Sequence, residues 1–236
     1  MVESSESAKM TVKHMGKILK DLTFDDWVLH MFNHPVTETA WHWDLDADEV
    51  ELEPQQVIAY TTRLFTNARE LLTPYTDAQV NQGLWFLIGE GHTPLTVLTD
   101  ANNPLDERSR CIHAITQVFE QSFLPRCTPH LSHVDEPGAS PLNLVCYMWW
   151  DIFPLRGQPK DASRQEIDAA CLSVMETTLQ LPSIACQESA LHGLGHWGRY
   201  YEGRCQSIIS TFMQRHRDLR PQLRTYAESA QKGCVL

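Results

Sequence analysis

Ala185-Cys-Gln-Glu-Ser-Ala-Leu-His-Gly-Leu-Gly-His-Trp197 is the stretch on which the reading of this chain turns. Wound at about 100° per residue, it places Ile184, Ala190, Leu191, Leu194 and Trp197 on one side. Ala185, Glu188, Ser189, His192 and His196 fall on the other. His192 and His196 stand at i, i+4, the spacing at which two imidazoles on one helix face can share a metal ion. Glu188, one turn further back, is placed to be a third ligand or a base. The projection turns this face away from the apolar stripe. The expectation is therefore a helix whose polar side meets water, a partner or another loop, rather than a buried histidine of the core.

A loop further upstream repeats the same chemistry. Cys127, His130, His133 and Asp135 are all competent metal ligands, yet their spacing fits no standard zinc motif. Structural roles within the loop are the simpler reading, unless it folds onto the His192 face. His30 and His34 form another i, i+4 pair, but His34 precedes Pro35, so helix-end hydrogen bonding and the helix dipole account for them. Trp41-His42-Trp43-Asp44 reads as an aromatic anchor for an irregular segment, or as a binding wall.

Helix signals continue outward in both directions. Thr76-Asp-Ala-Gln79 and Ser163-Arg-Gln-Glu166 have the form of capping boxes. Asn103-Pro104 is a cap followed by proline, and Cys111, Ile112, Ile115, Val118, Phe119 and Phe123 then recur at helical spacing. Thr23 opens a short helix with Phe24, Trp27, Val28 and Met31 on its buried face. Further helices are expected near 10–21, 55–72, 77–90, 142–153, 164–180, 184–198, 203–216 and 219–231, joined by Pro-, Gly- and Asn-containing turns. Leu144 to Trp150 reads as buried helix rather than strand. Residues 36–54 lack helix periodicity and are expected to pack on the body. The fold class is all-α, about ten helices in one domain (1–236) with residues 1–9 as a tail, arranged in antiparallel pairs as a solenoid or an irregular bundle.

Composition narrows the function classes. The net charge of −11 argues against non-specific nucleic-acid binding, which depends on Lys and Arg meeting phosphates. The charge is uneven: seven acids and no Lys or Arg lie between Glu38 and Glu53, and six arginines against two acids lie between Arg199 and Arg224. No apolar run approaches the ~20 residues that cross a bilayer, so no membrane is expected. Residues 1–10 lack the layout of a signal peptide, and Cys234 is misplaced for a prenylation box. Cytoplasmic residence is expected. Seven cysteines without a CxxC read as small buried hydrophobes in a reducing compartment.

The segment from Ser183 to His216 resembles a HEAT-type repeat: a first helix with Ala190-Leu-His-Gly-Leu-Gly195, a turn around Tyr200 to Gly203, and a second apolar helix with Ile208, Ile209, Phe212 and Met213. The resemblance implies a scaffold that binds a protein partner; the aromatic segment and the uneven charge, read from the residues themselves, supply Trp41, Trp43, Arg199 and Arg204 as its expected surface contacts. It covers about a seventh of the chain, and no ~40-residue period extends it upstream.

Other motifs fall away. Gly193-Leu-Gly-His-Trp-Gly198 fits GxGxxG but follows no strand, so it is no dinucleotide loop; its glycines suit close helix approach or a helix end near Gly198. His216-Arg-Asp218 lacks every other kinase element, and no HExxH or GxSxG occurs. Three functions are carried forward: an interaction scaffold with no resident cofactor, a metal-dependent hydrolase-like enzyme using His192 and His196 with Zn²⁺ or another divalent ion, and a small-ligand-binding helical protein.

Overall fold

The computed structural model describes residues 16–44, 46–89 and 93–235. The expected tail at 1–9 and the first part of the expected 10–21 helix lie outside the described residues. Ten α-helices occur among them: α1 (Phe24–Phe32), α2 (Pro54–Thr66), α3 (Ala68–Leu72), α4 (Asp77–Ile88), α5 (Leu105–Val118), α6 (Leu124–Arg126), α7 (Pro141–Ile152), α8 (Gln165–Leu179), α9 (Ile184–Arg215) and α10 (Pro221–Gln231). A π-helical turn, Phe119–Phe123, joins α5 to α6. This is an all-α bundle, as the periodicity predicts.

The ends of the helices follow local chemistry. Thr76 and Gln79 form the complete capping box of α4, each side chain meeting the other's backbone N–H. The Thr23 hydroxyl accepts from Asp26 N at the start of α1. Two expected caps are corrected. Ser163 does not cap α8: the Asp161 side chain takes the Ser163 N–H at a 3-10 turn, and the helix proper begins at Gln165. Asn103 does not cap α5, because its amide is spent on Val97 O at 2.8 Å.

The expected helix at 10–21 is also corrected over its described part. Ile18–Leu19 is a short strand, β1, paired in parallel with β2 (Glu49–Val50) in the register Ile18↔Glu49 and Leu19↔Val50. Gly16 explains why an extended path wins here: a Cβ on it would lie 2.0 Å from the Ala47 carbonyl oxygen. Asp21 then leaves the strand with a left-handed φ of 57°.

Packing runs in a continuous series, α2 on α5, α5 on α8, α8 on α9, α9 on α7, α7 on α4 and α4 on α1, with α10 laid on α9. Trp149 of α7 is fully buried among Phe65, Phe119 and Phe123, with ring centroids 5.6–5.9 Å apart. The expected turn at Tyr200–Gly203 takes the form of a kink: within Ile184–Arg215 two helical stretches meet at Tyr201, whose backbone is non-helical (φ −129°, ψ 49°). The first helical stretch thus runs past Gly198 to the kink at Tyr201. Gly193 does serve close approach, since a Cβ there would lie 2.6 Å from Trp150 Cγ. Five of the seven cysteines are buried and all are free thiols.

The segment before β2 is held by aromatic stacking. His34 lies face to face with Trp41 (3.9 Å, 12°), and His30 and His42 meet the same indole edge-on. His34 Nε2 donates to the His30 carbonyl at 2.5 Å. Burial is the main cause that holds the pKa of all three histidines below 6.5; the neighbouring charge of His34 adds to it at His30 and His42. The folded state thus resists protons that the unfolded chain accepts. Stability from this cluster is complete above pH 6.5 and is lost as pH falls below it toward the folded pKa values. Urea midpoints at pH 7.5 and pH 5.5 are expected to show the decline, and His34→Gln to flatten it. An equal slope in the variant would remove the cluster as its source.

Candidate metal centre

Most of the polar face of α9 is closed to solvent, His196 keeping partial exposure. Glu188 and Ser189 are 0% exposed and His192 is 1% exposed. Of the three expected neighbours the loop is the one found, while the expectation against a buried histidine is corrected, and the reason is tertiary: α9 has α7, α8 and α10 around it, and the loop before α7 closes the remaining side. A helical projection sorts residues by side, but it does not reveal that both sides are covered.

Three groups converge there. His192 Nε2 and His196 Nε2 are 3.2 Å apart, and His196 Nε2 is 3.5 Å from Asp151 Oδ1. All three ligand atoms lie within 4.8 Å of one another. A tetrahedral ion with bonds of about 2.0–2.2 Å separates its ligand atoms by roughly 3.3–3.5 Å, so two of the distances already have the length of a coordination edge. Asp151 comes from the last turn of α7, where a carboxylate opposes the helix dipole. Arg156 offsets that cost by donating to the Asp151 and Phe153 carbonyls at the same helix end.

Behind the histidines lies a buried hydroxyl chain. His192 Nδ1 is 2.7 Å from Tyr226 Oη, which is 3.2 Å from Tyr147 Oη. With Nδ1–H donating to Tyr226, the His192 lone pair is left on Nε2, facing His196 and Asp151. Burial, and then the charges of His196 and His133, push His192 down to about 3, so the ring is neutral at physiological pH. His196 is lowered too, chiefly by burial, with Asp151 acting in the opposite direction. Burial and the Tyr147 hydrogen bond raise Tyr226, which keeps its proton. Neutral imidazoles are the form a metal requires.

The sequence-derived ligands divide. His192 and His196 belong to the group. Glu188 does not: its carboxylate accepts from Ser132 N (2.9 Å), His133 N (3.0 Å) and His133 Nδ1 (2.6 Å), and so fastens the 127–135 loop to α9. His133 stacks on Tyr226 at 4.1 Å, which makes it a support for the chain behind His192. Cys127 turns inward to the Cys146 thiol of α7, away from the histidines' ligand atoms, and the His130 carbonyl accepts from Asn143. Asp151 was not found from the sequence. Its one local signal was an acid placed in the last turn of a helix.

The expected surface contacts also separate. Trp41 is buried, whereas Trp43 is 73% exposed. Arg204 is paired with Glu176, and Arg199 is exposed near enough to His196 to lower its pKa. No described helix is long and apolar enough to cross a membrane. Compared with known proteins, the chain matches no family model, no curated protein and no solved structure.

Proposed function

We propose that the protein binds a divalent transition metal through Asp151, His192 and His196, in an open site of the kind used for metal-assisted hydrolysis. The observation that carries this reading is the convergence of three ligand atoms, two of their spacings having the length of a coordination edge, with the far nitrogen of His192 already anchored on Tyr226. Two imidazoles and a carboxylate suit Zn²⁺ and also Fe²⁺. Three protein ligands leave a position for water, whose proton such an ion makes easier to remove.

Elemental analysis of protein purified without chelator or added metal tests the proposal. One equivalent of zinc or iron per chain, lost in Asp151→Ala/His196→Ala, is the expected result. Wild-type protein that neither carries nor takes up metal would sink it. Tyr226→Phe keeps the ring and removes the oxygen behind His192, and is expected to weaken the metal by roughly 10–100-fold. Competition titration against a chromophoric chelator measures that change.

Protein interaction is the second reading. It is favoured by an exposed indole at Trp43 beside an acidic stretch and by an exposed guanidinium at Arg199. The absence of metal, together with a partner lost on Trp43→Ala and Arg199→Glu, would favour it over the first.

A further inference from the structure

A cavity of about 720 Å³ opens beside the carboxylate of Asp151. That volume lies within the range of small-molecule sites, roughly 300–1,000 Å³. Its walls are aromatic: Trp43 and His42 come from the 3-10 turn Trp41–Trp43, and Trp85 and Phe86 come from α4. The His42 ring sits 5.5 Å from Trp43 and 5.6 Å from Phe86, which joins the two walls. Trp43 is exposed although every other feature of its turn serves to pack it down, as Trp41 does. An indole left open at a cavity mouth is a surface for a ligand ring.

Polar groups within the walls select among ring compounds. His42 Nδ1, Asn81 Oδ1 and Thr93 Oγ1 are buried with no hydrogen-bond partner in the described structure, and all three residues line this one cavity. Buried polar atoms are normally paired, so three orphans on one cavity mark a place where a partner is missing. Asn81 Oδ1 can only accept, which calls for an N–H or O–H on the ligand. Among the described residues of the lining, Asp151 is the single formally charged one, and none is Lys or Arg. No described side chain there would neutralise an anion, so in the metal-free chain the lining favours an uncharged ligand.

We propose that this cavity binds a small, uncharged molecule built on a planar ring and bearing a hydrogen-bond donor, and that it delivers this molecule to the metal centre at Asp151. Delivery to the metal rests on the reading of Asp151 as a ligand. Recognition of the ring rests on the cavity alone.

Benzamide is a suitable probe, with benzoate as its anionic counterpart, titrated by ligand-observed NMR into the full chain with and without zinc. Benzamide is expected to bind the zinc-free chain with a Kd on the order of 1 mM, as befits nine heavy atoms, and benzoate to bind it at least about tenfold more weakly. Trp43→Ala removes an exposed ring without opening the core, and is expected to weaken benzamide about tenfold while zinc uptake stays unchanged. Asn81→Leu is expected to weaken it in the same direction. Benzamide binding that is indifferent to both variants, or equal binding of benzoate by the zinc-free chain, overturns the proposal even if zinc is held. Trp43-dependent binding in a protein that takes up no zinc upholds the cavity and overturns the delivery to a metal.

Discussion

Glu188→Ala is expected to destabilise the fold by about 3–5 kcal/mol, the scale of leaving several hydrogen-bond donors unpaired at roughly 1–3 kcal/mol each. The carboxylate has no exposed surface and holds three donors, two of them backbone N–H groups at Ser132 and His133. Alanine leaves those donors buried and unpaired, and no side-chain movement can take a backbone N–H out of the way. Glu188→Gln is expected to lose less, because its amide oxygen can still accept from one or two of them. On the far side of the loop, Glu136 accepts from Leu131 N and pairs with Arg220 of the α9–α10 turn. The loop would therefore remain tethered, and the loss should be greatest at residues 132–134 and around His133, whose ring rests on Tyr226. Urea denaturation gives the size, and amide exchange at Ser132 and His133 gives the place. A change within about 0.5 kcal/mol, as is usual for an exposed position, would show that the loop does not depend on this carboxylate.

His196→Ala is expected to reduce zinc affinity by more than the roughly 10–100-fold that follows from removing only a hydrogen-bond partner behind a ligand. Its fold should hardly change, because the side chain is 23% exposed and its neighbours in the site are themselves ligand atoms. His192→Ala is expected to show the same loss of zinc together with a loss of stability, since that ring is 1% exposed and carries the bond to Tyr226. The two variants thus separate coordination from packing. A Cys234→Ser background removes the exposed thiol as a competing site. His196→Ala protein that titrates with zinc as the wild type does would end the metal reading, whatever happened to His192→Ala.

The helices were legible because each is written locally. Apolar spacing marks α5 and α7, the Thr76–Gln79 pair marks the start of α4, and Thr23 marks α1. Where a distant group took over, the local reading failed. Ser163 lost its cap to Asp161, Asn103 turned back to Val97, and the segment at Ile18 was drawn into pairing with Glu49. The site divides in the same way. His192 and His196 share a face because they share a helix, which a sequence declares. Glu188 shares it too, yet backbone N–H groups 55 and 56 residues upstream had a stronger claim on its oxygens. Asp151 and Tyr226 arrive from α7 and α10, so the fold alone could show that the polar side of α9 is an interior.

Gly193 and Trp150 have a further consequence, because each is the chain neighbour of a proposed ligand. Gly193 follows His192 on α9, and Trp150 precedes Asp151 on α7. Their contact behaves as a calliper whose jaws set how far the carboxylate stands from the imidazoles. A Cβ at position 193 would lie 2.6 Å from the indole, and the helices would have to part by a sizeable fraction of an ångström to admit it. Metal–ligand distances hold to within about 0.2 Å. The gauge of the site is therefore cut into a residue with no side chain.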